Sequence, residues 1–463
     1  MRNSSAPITR EPLSKISQRA LLELYNQDRF PDVAERAEHL LQTHRNSFFL
    51  WNMLGTVQAQ MRRFSQAENA FENAIRLHPR SAEAYNNLAN ALRHQGKIEA
   101  AISKYEVAIK RKPNFTTALN NLGVAYEAKG QHGKAADFYA SALKTCWDHL
   151  PALRNLAQLP QVCLSNLHLS LLEKGIAAIE KSDAPQASQL FIKAHALYQL
   201  GDLENAFKTC CQANRQTSQA TASATKLHEV ERQAKLRRLK KWLPNANENN
   251  TQIKTLIILG PSRSGKSTLE KLLEESDYVT CTREAWRGAA KIQQVLKFQR
   301  NVANGAERLP VRISDFFYLA EAELIEQHQK VVTNTNPFII ENIAAIHDCL
   351  PGSHFCFVRR DRADLEADIF TRFFSARNLY SYDPTALRNY LNWYDETWAI
   401  VSKLENAISV DFQTLQTSPQ QELDRIQNML GVDLRLPRAP STRPPQKSPF
   451  RDIFARTFPT PSV

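Results

Sequence analysis

The chain is 463 residues long, 43% hydrophobic, with a formal net charge of +12, values ordinary for a soluble globular protein of two or three domains. No window approaches a membrane span, and the N-terminal MRNSSAPITREPLSK lacks the apolar core of a secretion signal. Seven cysteines at positions 146, 163, 210, 211, 281, 349 and 356 are an odd number without a C-x-x-C pair or metal-ligand spacing, which argues for reduced thiols of a cytoplasmic protein over disulfides or zinc. The positive charge suits anionic ligands. With no nucleic-acid module and no interleaved aromatics it reads as solvated basic faces, so nucleic acid is not an expected partner.

The first half of the chain is periodic. A unit of 34 residues begins at Phe48, again at Ala82 and again at Thr116. Trp51, Leu54, Gly55, Ala67, Phe71, Ala74 and Pro79 fill the first unit; Tyr85, Leu88, Ala89, Ala101, Tyr105, Ala108 and Pro113 fill the second. Leu119, Leu122, Gly123, Tyr126, Ala135, Tyr139 and Ala142 fill the third. Small residues at the eighth and twentieth positions let two helices approach, and aromatics fill the space between hairpins. Such units need neighbours. A degenerate one over Lys15 to Ser47, a helix near Leu153 and Leu156 and, after a leucine-rich break at Cys163 to Leu172, a pair marked by Ala194, Gly201, Ala206 and Ala213 supply them.

From Lys226 to Leu243 the chain is strongly basic with helical composition, and Pro244 to Thr251 is polar and rich in asparagine. The first is read as a connecting helix and the second as a boundary. Beyond it Leu256 to Leu259 is a short apolar run, Gly260 opens a turn, and Ser267 to Glu275 has helical composition. A loop between strand and helix gathers free N–H groups and the positive end of a helix dipole at one point, and Arg263 and Lys266 add charge. The residues Gly260-Pro261-Ser262-Arg263-Ser264-Gly265-Lys266-Ser267 satisfy the phosphate-loop pattern G-x-x-x-x-G-K-[ST] in its confirming context.

Strands and helices then alternate. Lys330 to Asn334, His354 to Val358 and Ile408 to Phe412 read as strands, with helices over Val311 to Gln329, Ile339 to Cys349, Asp364 to Ala376 and Leu387 to Leu404. That alternation implies a parallel sheet with ligands at the carboxyl ends of its strands. The chain thus divides into a helical repeat domain over 15–215, a basic helical linker over 216–251, a P-loop α/β domain over 252–436 and a proline-rich tail over 437–463.

The 34-residue units look like tetratricopeptide repeats. Repeats followed by this second domain resemble the bacterial tetratricopeptide-repeat sulfotransferases, whose catalytic domain is akin to that of tyrosylprotein sulfotransferases. The resemblance runs from about residue 48 to residue 432. It implies an all-α superhelix followed by a sulfotransferase-like α/β domain. In that family the cradle reads P-R-S-G-T-T-L-L-E, against Ser262-Arg263-Ser264-Gly265-Lys266-Ser267-Thr268-Leu269-Glu270 here. A family glutamate that acts as base lies nineteen residues after the loop glycine, which is Glu284. A second motif, V-R-R-D-P-x-D-x-x-x-S, holds the 3′-phosphate of the donor and is matched by Val358-Arg359-Arg360-Asp361-Arg362-Ala363-Asp364.

The resemblance implies the donor 3′-phosphoadenosine 5′-phosphosulfate, a hydroxyl acceptor on a peptide, saccharide or small molecule, and a protein or peptide partner on the repeat groove. Sulfuryl transfer needs a base for the acceptor proton, positive charge on the leaving phosphate and grip on the donor's other phosphate. Glu284 is expected as the base. Arg263, Lys266 and the amides of Ser264 and Gly265, with the hydroxyls of Ser267 and Thr268, supply the charge, and Arg360 supplies the grip.

Four departures accompany the match. The serine eight residues after Arg360 is Asp368, a carboxylate that repels a phosphate unless protonated or turned away. The segment D-K-x-P is Asn334-Thr335-Asn336-Pro337, the loop threonine is Lys266, and Pro437 to Val463 does not reproduce the segment that closes over the adenosine. Lys266 is expected to replace the charge missing at Thr335, both facing the leaving phosphate. Two further readings stay open. The intact G-K-S suits an Mg-dependent kinase or ATPase, and the departures suit a non-catalytic repeat scaffold.

Overall fold

The computed structural model describes residues 13–242, 244, 254–276, 278–281, 331–335, 339–349, 353–372, 374, 378–434 and 447–459. They form two compact units, Met1–Ala206 and Phe207–Val463.

The first unit is built of helical hairpins. After α1 (Lys15–Asn26) and α2 (Phe30–Thr43) come α3 (Phe48–Gln60) and α4 (Phe64–Leu77), α5 (Ala82–His94) and α6 (Ile98–Arg111), then α7 (Thr116–Ala128) and α8 (His132–Thr145). The leading helix of each pair starts where the sequence unit starts. Ser47 and Ser81 help set those starts, accepting the N–H of Leu50 and of Ala84 as N-caps. A Cβ built on Gly55 would lie 2.6 Å from the Phe71 ring, and one on Gly123 would lie 2.5 Å from Tyr139. The small eighth position is therefore required by the aromatic that packs on it.

Successive hairpins are also tied by a polar rung. Asn87 Nδ2 reaches Asn52 Oδ1 at 3.5 Å, Asn121 Nδ2 donates to Asn86 Oδ1 at 3.1 Å, and Asn155 Nδ2 donates to Asn120 Oδ1 at 3.0 Å.

The unit continues through α9 (Leu150–Gln158), α10 (Asn166–Glu180) and α11 (Ala187–Gln199). Much of the segment read as a leucine-rich break is helical, because Leu171 and Leu172 share a helix with Ile176 and Ile179 and are buried with them. α12 (Leu203–Leu239) runs for 37 residues without glycine or proline, so the sequence division at 215/216 falls inside one unbroken helix. No helix of the described residues is long and apolar enough to cross a membrane.

Among the described residues the second unit holds a five-stranded sheet in the order β2-β3-β1-β4-β5, every pairing parallel. Its strands are β1 (Lys254–Leu259), β2 (Val279–Cys281), β3 (Val331–Asn334), β4 (Ser353–Arg359) and β5 (Ala407–Asp411). β1 is central and its side chains are buried on both faces. Leu256 and Ile258 pack against Leu269 and Leu273 of α13 (Lys266–Leu273). On β4, Phe357 stacks on Trp398 of a later helix, with centroids 5.0 Å apart. The chain builds one side of β1 with β2 and β3 and then crosses to the other for β4 and β5. That places the switch point of the topology at the carboxyl end of β1.

Further helices are α14 (Ile343–Cys349), α15 (Arg362–Phe370), α16 (Pro384–Val401), α17 (Phe412–Thr417), α18 (Pro419–Leu430) and α19 (Arg451–Thr457). α19 lies in the stretch read as a proline-rich tail. It packs on α15 through Phe454 and Phe370, 5.3 Å apart, while Arg451 pairs with Asp361 at 3.1 Å and with buried Asp364 at 3.4 Å. The helix expected over Val311 to Gln329 lies outside the described residues.

Candidate functional site

The loop between β1 and α13 has a backbone that only part of the amino-acid alphabet tolerates. Gly260 has φ 149° and a Cβ there would sit 2.2 Å from Ser264 Oγ; Gly265 has φ 108° and its Cβ would meet the Phe412 ring at 2.1 Å. Arg263, at φ 70°, holds a left-handed conformation without being glycine, a strain of the kind that clusters at ligand sites. Tyr394 on α16 accepts the Gly260 N–H at 2.8 Å, and Ser264 N–H donates to Pro261 O at 3.2 Å. α13 starts at Lys266 without a side-chain cap, so its dipole and first-turn amides face the loop.

A cavity of about 370 Å³ opens above this turn. Arg263, Gly265, Lys266, Ser267 and Thr268 line it from the loop and first helical turn, Arg360 from the end of β4, and Asp368 from α15. Seven of the site residues expected from the sequence are thus brought to one cavity. Ser264 sits behind the loop instead, 1% exposed, its Oγ buried without a hydrogen-bond partner among the described residues. Glu284 lies outside the described residues.

Lys266 is turned back on the loop. Its Nζ donates to the carbonyls of Gly260 and, at 3.2 Å, of Pro261. Thr335 is turned away too: its hydroxyl donates to buried Glu270 at 3.3 Å, beside Thr333, which donates to the same carboxylate at 2.9 Å. The expected exchange of charge between positions 266 and 335 is therefore not how these side chains point. Lys266 finds loop carbonyls, and Thr335 follows β3 and bonds Glu270.

Arg360 is a second cation of the cavity with a largely covered side chain. Its Nη1 lies 2.7 Å from Asp368 Oδ2 and donates to Arg263 O at 2.9 Å, while the guanidinium rests 5.2 Å from the centre of the Phe412 ring. The carboxylate at 368 is thereby neutralised by the arginine beside it. Arg362 and Asp361 of the same motif serve the scaffold: Arg362 pairs with Glu366 at 2.8 Å and Asp395 at 3.0 Å, and Asp361 caps α15 by accepting the Asp364 N–H.

Arg263 is pushed down to about 10, first by burial, then by Arg372 and Arg360, with Asp368 opposing. Its side chain still meets solvent at the cavity mouth, so the cause is crowding by protein and like charge rather than full withdrawal from water. It stays a cation at neutral pH, in a cluster of three guanidiniums with one carboxylate. Among the described residues such a cluster is short of negative charge, an environment that suits an anion.

Sequence reasoning missed Phe412, Phe374 and Tyr394. Phe412 and Phe374 line the cavity, and Tyr394 holds the loop from behind. Phe412 follows β5, so the rule that ligands gather at strand carboxyl ends was the available signal. Tyr394 carried none, since its contact joins residues 134 apart.

Residues 255–435 match the sulfotransferase family, and residues 52–114 and 105–149 match the tetratricopeptide repeat. No curated protein matches the chain. Among solved structures, the crystal structure of MamA is 18% identical, covering 43% of this chain and 96% of that one, with a TM-score of 0.30. The crystal structure of PilW, described as a widely conserved type IV pilus biogenesis factor, is 18% identical over 43% and 93%, with a TM-score of 0.37. That of Pseudomonas aeruginosa pilF is 15% identical over 43% and 90%, with a TM-score of 0.36. At these TM-scores the likeness carries no weight for function.

Proposed function

We propose that this chain, a tetratricopeptide-repeat protein with a sulfotransferase-family domain, moves a sulfuryl group from 3′-phosphoadenosine 5′-phosphosulfate to an acceptor hydroxyl. The observation that carries the reading is the cationic cavity at the carboxyl end of β1, inside the matched region, where Arg263, Lys266 and Arg360 surround a strained loop. Arg360 Nε, buried without a partner among the described residues, and the uncapped helix fit a group rich in acceptor oxygens. The donor supplies an activated sulfuryl group on its 5′-phosphate.

On this reading the loop amides and the hydroxyls of Ser267 and Thr268 hold that phosphosulfate, and Arg263 stabilises the charge that gathers on the bridging oxygen as the S–O bond breaks. Lys266 exchanges its loop carbonyls for the same oxygen. Arg360 grips the 3′-phosphate, and Glu284 takes the proton of the acceptor hydroxyl as the new S–O bond forms. The acceptor belongs to a peptide, a saccharide or a small molecule. The repeats dock a protein or peptide partner, a role that suits the carboxamides aligned along the leading helices. A cytoplasmic location fits the free thiols of Cys146, Cys163, Cys210, Cys211, Cys281 and Cys356.

Titration calorimetry on the full chain tests the reading. Binding of adenosine 3′,5′-bisphosphate without metal is the expected result. Mg²⁺-dependent binding of ATP in its place would favour a P-loop kinase, and silence toward both would favour a scaffold.

A further inference from the structure

Among the described residues the cavity holds one acid beside its cations, and the acid and Arg360 are not fully matched. Asp368 Oδ2 lies 2.7 Å from Nη1 of Arg360, which also donates to Arg263 O, while Nε of the same guanidinium is buried without a hydrogen-bond partner among the described residues. A carboxylate that satisfied the fork would engage two parallel N–H groups. The arginine side chain is 6% exposed and lies against Phe412, so water does not complete it.

The charge along the cavity lining is therefore uneven. At the loop, the uncapped start of α13 and Arg263, which forms no ion pair among the described residues, offer net positive charge. At the mouth of β4, the charge of Arg360 is cancelled by a carboxylate at 2.7 Å. A phosphate arriving there meets repulsion from Asp368 of the same order as attraction to Arg360, since both lie at similar range. A hydroxyl arriving there meets an acceptor, and carboxylates bind ribose hydroxyls in this way where arginines accommodate a phosphate.

We infer that Asp368 is the specificity-determining residue of this site, a resident anion on Arg360 that a second nucleotide phosphate has to displace and a ribose hydroxyl does not. The inference rests on the donor reading above and refines it: the 5′ anion is held by the loop, and the preference for a 3′-phosphorylated nucleotide over one with a free 3′-hydroxyl is held down by residue 368.

The test is calorimetric titration of adenosine 3′,5′-bisphosphate and of adenosine 5′-monophosphate into the full-length protein, Asp368→Ser and Asp368→Asn. Asparagine keeps a polar contact to Arg360 and removes the charge, which guards against a serine variant that fails to fold. The expected result is that the affinity ratio of bisphosphate to monophosphate rises about tenfold or more in both variants. An unchanged ratio with binding retained overturns the role of Asp368 and leaves the donor reading standing. Absence of binding by wild type and both folded variants overturns the donor reading, and this inference with it.

Discussion

Tyr394 and Gly260 meet through one hydrogen bond, the glycine amide donating to the phenolic oxygen at 2.8 Å, so a helix on the far side of the sheet fixes the first residue of the loop after β1. Burial pushes the Tyr394 phenol far up, so the hydroxyl stays neutral at any working pH. Tyr394→Phe removes the acceptor and leaves a buried N–H unpaired, at a cost of about 1–3 kcal/mol. Urea unfolding should show that loss, together with weaker nucleotide binding. Unchanged stability and affinity would show that the loop holds itself.

Gly265→Ala is expected to be more damaging than its size suggests. The positive φ costs a non-glycine residue about 1–2 kcal/mol, and the added methyl enters the Phe412 ring. Gly96, at φ 79° with nothing within 4 Å of its built Cβ, carries only the first of those costs. Thermal melts of the two alanine variants compare them directly; equal losses would exclude the Phe412 contact as a determinant.

Partial cover by the surrounding protein and two neighbouring arginines disfavour the charge of Arg263. Arg263→Gln should therefore leave the free protein as stable as the wild type or more so, and should abolish the rise in melting temperature that a bound nucleotide produces. A variant that melts several degrees lower without ligand would contradict that account.

Glu284→Ala is expected to retain donor binding and lose turnover by a factor on the order of 10²–10⁴, the usual contribution of a general base. Calorimetry and a sulfuryl-transfer assay separate the two properties. Full turnover in the variant removes Glu284 from the mechanism.

The repeats were legible because the same pattern is written three times, and self-similarity needs no knowledge of partners. Phe48, Ala82 and Thr116 each begin a helix. The strand, turn and helix around Gly260 were legible for a related reason, since all three lie within one short stretch of sequence. What the sequence concealed is where side chains go once distant segments meet. Asp368 read as a lone carboxylate near the donor, and its ion pair with Arg360 at 2.7 Å became visible only in the folded chain. Lys266 read as a phosphate ligand, yet loop carbonyls hold it. Phe412 and the helix at Arg451–Thr457 enter through tertiary packing that no local pattern encodes.

The asparagine rungs also give the array a ruler. Excising 82–115 would move Asn121 into the frame now held by Asn87, where Asn52 awaits it, and the small eighth position of each surviving hairpin would still face its own aromatic. Duplication of the same stretch would insert one more rung without a mismatch. Growth or shrinkage by whole periods is therefore a change this architecture absorbs, whereas a slip of one residue unpairs the carboxamides on both sides of the splice.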